Sequence, residues 1–179
     1  MKIFTFIFLT IITIFFSACS SKEVFEPEKV KDSWDYYGDI DEKIIDISST
    51  AALLENRKVL IGTKTIDIEV PKDDMLLGYS DGWVISANIK GKLTLQFSSD
   101  KSKKTFNLKR TIATASVKDD ILAVLFANNE MALYSVSTQE LLLKEQGNAP
   151  IVVNSKITSP HFIDNIVLFF TLDGKVVIL

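Results

Sequence analysis

One unit recurs three times along the chain: a short strand, a polar turn, an apolar strand and a second turn. The copies run from Thr65 to Gly82, from Thr111 to Asn129 and from Lys156 to Gly174. Aligned on Asp73, Asp119 and Asp164, they are spaced 46 and 45 residues apart. A repeat of that length is one supersecondary unit that cannot bury its apolar side alone, so neighbouring units must stack. Met75 to Leu77, Ile121 to Ala127 and Ile166 to Phe170 are apolar runs of strand length. They are rich in branched and aromatic residues and are bounded by Asp, Asn and Gly, which marks them as strands. Asp81-Gly82 and Asp173-Gly174 have the composition of two-residue hairpin turns, because Gly reaches positive φ without steric cost. Asn128-Asn129 can serve the same purpose less well.

An uninterrupted apolar run leaves no polar face for water, so each strand must be covered on both sides. Stacked sheets provide that cover, and about 45 residues is the length of one four-stranded propeller blade. The expectation is an all-β, partial (open or truncated) β-propeller of about three four-stranded antiparallel blades over residues 44–179. Residues 44–61 then form a hairpin or an outer strand closing a ring, and Leu93 and Leu141 occupy equivalent places. The third copy reaches Val176 to Leu179 partway through a blade. Three copies are fewer than the usual 4–8 blades. The expected object is therefore the front part of a longer propeller, or a half-ring completed by another molecule.

Ahead of the repeats, Lys2 is followed by an uncharged, mostly apolar stretch from Ile3 to Phe16. That length suits the apolar helix of a secretory signal and falls short of the ~20 residues a membrane span needs. Phe16-Ser-Ala-Cys19 follows, and Cys19 is the only cysteine, so no intrachain disulfide can form. Residues 1–18 read as a signal peptide. Residues 19–43, polar and charge-rich with Pro27, read as a flexible tether. Within it, Trp34, Tyr36 and Tyr37 form an aromatic cluster that either contacts a partner or packs on the domain edge.

The formal net charge is −3, which opposes a nucleic-acid partner, since phosphate binding wants a basic surface. His161 is the only histidine; a catalytic or metal role would need convergent partners, so beside Phe162 it reads as a strand residue, partly buried or at a blade edge. Asp73-Asp74 and Asp119-Asp120 read as turn caps, because Asp bonds its own backbone at turns. Lys101 to Lys104 reads as a solvated loop tip. No Gly-rich phosphate loop, Gly-x-Ser-x-Gly or His-Glu-x-x-His is present. No catalytic, cofactor-binding or metal-binding residue is identified, and no small-molecule ligand.

Small residues before a lone cysteine, straight after an apolar helix, resemble the lipobox of bacterial lipoproteins. The resemblance implies a chain acylated at Cys19, and Ser20 after it implies sorting to the outer membrane, facing the periplasm. The stretch from Ser159-Pro160 through Asp173-Gly-Lys175 to Leu179 resembles the repeat of quinoprotein-type β-propellers. Together the two features resemble the propeller lipoproteins of the outer-membrane β-barrel assembly machinery. That resemblance implies a non-catalytic scaffold binding other envelope proteins. The tryptophan docking signature of quinoprotein enzymes is missing, since Trp34 and Trp83 lie elsewhere, and with it goes the expectation of a quinone. The alternative is the N-terminal part of a ligand-binding or enzymatic propeller whose active site lies outside this chain.

Overall fold

The computed structural model describes residues 40–151 and 158–179. They form four antiparallel sheets, each with its strands in sequence order. The first contains β1 (Ile44–Ile47), β2 (Ala52–Leu54), β3 (Lys58–Ile61) and β4 (Lys64–Glu69). The second contains β5 (Met75–Ser80), β6 (Trp83–Ala87), β7 (Lys92–Phe97) and β8 (Lys103–Asn107). The third contains β9 (Ile112–Lys118), β10 (Ile121–Phe126), β11 (Glu130–Ser135) and β12 (Leu141–Gln146). The fourth has three strands among the described residues: β13 (His161–Ile163), β14 (Ile166–Phe170) and β15 (Val176–Ile178). The partial propeller is thus present, with three complete blades and three strands of a fourth.

The repeat is real, but its first copy is out of register by one strand. Residues 44–69 are a complete blade, and neither a lone hairpin nor a closing strand. The first hairpin of the next blade turns at Asp81, with φ 49°, matching Asp119 at 52° and Asp164 at 47°. Asp73 lies instead in the connection between the first two blades. The reason is that the blades have no constant period. Each has a second hairpin whose turn ends in a left-handed residue: Arg57, Gly91, Asn129 and Gly174. In every case its N–H donates to the carbonyl three residues earlier, at 2.8–3.0 Å (Leu54, Asn88, Phe126 and Thr171). These residues are 34, 38 and 45 apart. A fixed step of 45–46 therefore matches only the last pair. Asp173-Gly174 belongs to this longer turn, in which only Gly174 has positive φ, and is not a two-residue loop.

Packing between blades follows the strict alternation of a pleated strand. In β10, Leu122, Val124 and Phe126 join the cluster shared with the second blade, whereas Ala123 and Leu125 face the fourth. In β6, Val84 packs toward the first blade and Ile85 toward the third. Both faces of the middle strands are therefore dry, which explains the unbroken apolar runs. Leu125 and Phe169 meet in the same interface at 1% and 0% exposure, as expected of residues between blades. Polar contacts pass between the inner hairpins as well. Tyr79 N–H donates to Thr50 Oγ1 and Val117 N–H to Ser80 Oγ, both at 2.8 Å, and Asp119 N–H donates to Asp81 Oδ2 at 2.7 Å.

Candidate interaction surface

The acidic turn residues serve the backbone. Asp120 accepts from Ser135 Oγ at 2.7 Å, Ser137 N–H at 2.7 Å and Ser137 Oγ at 2.9 Å. The hydrogen bond from Ser135 is the main reason its carboxyl sits below the ordinary carboxylate range. Asp74, buried, accepts from Ser86 Oγ at 3.1 Å, while its carbonyl accepts from Arg57 Nη2 at 2.7 Å. The two Asp-Asp pairs are not structural equivalents, because Asp120 matches Gly82 in the first hairpin and Asp74 lies before its blade begins. His161 is exposed at the start of β13, opposite Leu168, and not partly buried. Among the described residues no three His, Cys, Asp or Glu gather where a metal could bind.

The basic run is not a free loop tip either. Lys101 pairs with Asp67 on the outer strand of the first blade, and Lys58 reaches the same carboxylate at 3.0 Å. These two ammonium groups, Lys101 foremost, hold Asp67 down at about 2. Lys104 Nζ donates to the carbonyl of Val136 in the third blade at 3.0 Å. The run thus stitches the second blade to both neighbours.

Two polar centres escaped the sequence reading. Asn129, fully buried, donates through Nδ2 to Asn148 O at 2.9 Å and Asp173 Oδ1 at 2.8 Å. Its Oδ1 accepts from Leu172 N–H at 2.8 Å, so this one side chain latches the third blade to the fourth. Asp173 also accepts from Thr171 Oγ1 at 2.6 Å and pairs with Lys175 at 3.1 Å. Hydrogen bonds from Thr171, then Asn129, hold its carboxyl far below the usual range. The second centre is Glu130, nearly buried between Arg110 and Lys144, with Lys144 at 3.0 Å. Arg110 also lies over the ring of Phe126, 5.9 Å from its centre. The only local hint was Asn128-Asn129 at a turn; the partners are 19 to 44 residues distant.

Beside these paired polar groups lies an exposed apolar surface. Every residue of β12 is exposed, and Leu141, Leu142 and Leu143 stand at 51%, 52% and 39%. The outer strands of the first two blades differ: each buries one anchor, Ile68 in β4 and Phe106 in β8, and carries charges around it. Leu93, fully buried in β7, is therefore not the equivalent of Leu141; by pairing register its counterpart is Met131 in β11. At the far end of β12, an open groove of about 300 Å³ lies between the third blade and the fourth. Met131, Val177 and Leu179 line it with apolar surface, and Glu145, Asp173 and Lys175 supply charge. An exposed edge strand offers unpaired backbone groups, and here it also offers three leucines. Cys19, Trp34, Tyr36 and Tyr37 lie outside the described residues.

No family model matches the chain. Plasminogen-binding protein PgbB from two strains of Helicobacter pylori is 25% identical over 217 aligned positions, covering 97% of this chain. The chain spans 40% of the length of these relatives. Among solved structures, BamB from Moraxella catarrhalis superposes with a TM-score of 0.57 at 16% identity, over 78% of this chain and 46% of that one. The computationally designed Ika4 protein superposes with a TM-score of 0.51, also at 16% identity, over 79% of this chain and 92% of its own. At these identities the two structures establish the propeller fold and nothing further.

Proposed function

We propose that this chain is a non-catalytic β-propeller scaffold that binds another protein at the cell envelope, held there by acylation of Cys19. The observation that carries the reading is β12, an outer edge strand with three neighbouring exposed leucines. Exposed apolar patches on otherwise satisfied surfaces are interaction sites more often than decoration. The polar contacts of Asp120, Lys101, Lys104 and Asp173 support it, since these side chains serve turns and joins between blades and present no catalytic cluster. The named ligand of the H. pylori relatives is a protein, which agrees with a macromolecular partner for this chain. The lipobox resemblance supports the envelope, and a role in outer-membrane protein assembly is the narrower form of the same reading.

Two measurements test it. Membranes carrying the full chain are probed with plasminogen and, separately, by affinity capture of detergent-solubilised envelope proteins. A saturable protein partner should be found, and Leu142→Asp should weaken its binding at least tenfold while leaving the melting temperature unchanged. Binding that is indifferent to Leu142→Asp would refute the role of β12. For the anchor, Cys19→Ala should move the protein from the membrane to the soluble fraction. Retention of that variant in the membrane would remove the acylation reading.

A further inference from the structure

One end of the second blade carries an apolar tip among cations. Its second hairpin turns through Asn88-Ile89-Lys90-Gly91. Asn88 builds that turn: its Oδ1 accepts from Lys90 N–H at 3.0 Å and Lys92 N–H at 3.1 Å, and its carbonyl accepts from Gly91 N–H at 3.0 Å. The connection to the third blade is fastened against it. Leu108 N–H donates to the Gly91 carbonyl at 2.9 Å, and Thr111 Oγ1 donates to the Ile89 carbonyl at 3.0 Å. The backbone here is fixed and bonded, yet the Ile89 side chain stands 69% exposed.

Nothing in the turn calls for isoleucine. Two residues before the left-handed position, the other three blades have Glu55, Ala127 and Leu172, and that leucine is buried. Tips of tight turns are ordinarily Gly, Asn, Asp or Ser. A neighbouring blade does not cover Ile89 either, because a turn at the end of a sheet lies off the faces on which blades stack.

The charge around the tip has one sign. The segments Asn88 to Lys92 and Leu108 to Thr111 hold Lys90, Lys92, Lys109 and Arg110 and no Asp or Glu, and all four cations are exposed. Arg110 pairs with Glu130. Lys90, Lys92 and Lys109 enter none of the ion pairs among the described residues. The hydrogen bonds from Leu108 and Thr111 keep the two segments side by side, so their cations share one surface with Ile89.

We infer that this tip is a bilayer contact: Ile89 enters the headgroup layer of an anionic phospholipid surface, and Lys90, Lys92 and Lys109 meet its phosphates. Two features favour lipid over a protein partner. The tip is convex and offers a single apolar side chain, whereas a protein hot spot wants a packed, desolvated pocket. Its free cations are all lysines, point charges on flexible stems, which fluid headgroups can rearrange to meet. Apolar side chains beside lysines seat at the boundary between headgroups and acyl chains in the same way. The inference uses the envelope reading only to put a bilayer within reach, and it is independent of β12.

The test uses the full chain, purified in detergent and added to vesicles, with the photo-crosslinker p-benzoylphenylalanine in place of Ile89. Irradiation should give a lipid adduct at position 89, read by mass spectrometry, in vesicles of phosphatidylcholine with phosphatidylglycerol. Vesicles of phosphatidylcholine alone should give at least tenfold less, and so should Lys90→Glu with Lys92→Glu in the anionic vesicles, at an unchanged melting temperature. The same probe in place of Leu142 should give at least tenfold less lipid adduct than at position 89, which separates contact by this tip from mere tethering near the bilayer. If the double variant fails to accumulate, the comparison of the two lipid compositions decides. Equal labelling of the two compositions, equal labelling from positions 89 and 142, or no lipid adduct at position 89 would each overturn the proposal. The ratio between compositions requires neither acylation of Cys19 nor a partner on β12, so its failure is distinct from theirs.

Discussion

Asn129 tests how the blades are joined. Replacing it with Ala removes three hydrogen bonds at once, to Asn148, Asp173 and Leu172. The Leu172 N–H is then left without its acceptor in a dry interface, which costs ~1–3 kcal/mol. Ala must also hold φ near 66°, where a Cβ costs ~1–2 kcal/mol that Asn tolerates better. The sum for Asn129→Ala is ~2–5 kcal/mol, a large share of the ~5–15 kcal/mol that holds a domain together. Asn129→Gly separates the two parts. It loses the same hydrogen bonds but relieves the backbone, as Gly91 and Gly174 do in the equivalent turns. Its cost should be only ~1–3 kcal/mol. Urea denaturation of both variants gives the two numbers, and amide exchange at Leu172 should accelerate in both. If Asn129→Gly unfolds at the wild-type midpoint and Leu172 stays protected, the latch contributes nothing and the argument fails.

Three other outcomes follow from the same geometry. Phe169→Ala should cost ~3–5 kcal/mol in urea denaturation, because it empties a fully buried site between the third and fourth blades; a wild-type midpoint would contradict that packing. Gly91→Ala should cost over ~4 kcal/mol or prevent accumulation, since its Cβ would fall 2.3 Å from both the N and O of Arg110 with φ at 81°. On acidification, stability should hold until about pH 4 and then fall toward about pH 2. Asp67 and Asp173 titrate below their unfolded value of 3.8. Their contribution is therefore present above that value and lost as pH drops through the folded ones. Circular dichroism during acid titration reads this, and Asp67→Asn with Asp173→Asn should flatten the drop.

The sequence by itself determined the class of architecture. Strand-length apolar runs, Asp and Gly turns and a recurring unit are local signals, and the runs at Ile121 to Ala127 and Ile166 to Phe170 already required cover on both faces. Leu125 and Phe169 were recognisable as buried between blades for that reason. Blade boundaries were not legible, because the Asp residue that counts is the one at left-handed φ. Composition does not separate Asp73 in a connection from Asp81 in a hairpin. A slip of one strand there set Leu141 level with Leu93, when hydrogen bonding puts Leu141 on an exposed edge strand and Leu93 is fully buried. The fate of the polar groups was decided by tertiary structure alone. Lys101 finds Asp67, and Asn129 finds Leu172, across 34 and 43 residues of chain. Which charges remain free, and which apolar faces remain bare, depends on how successive blades stack and not on any neighbour in sequence.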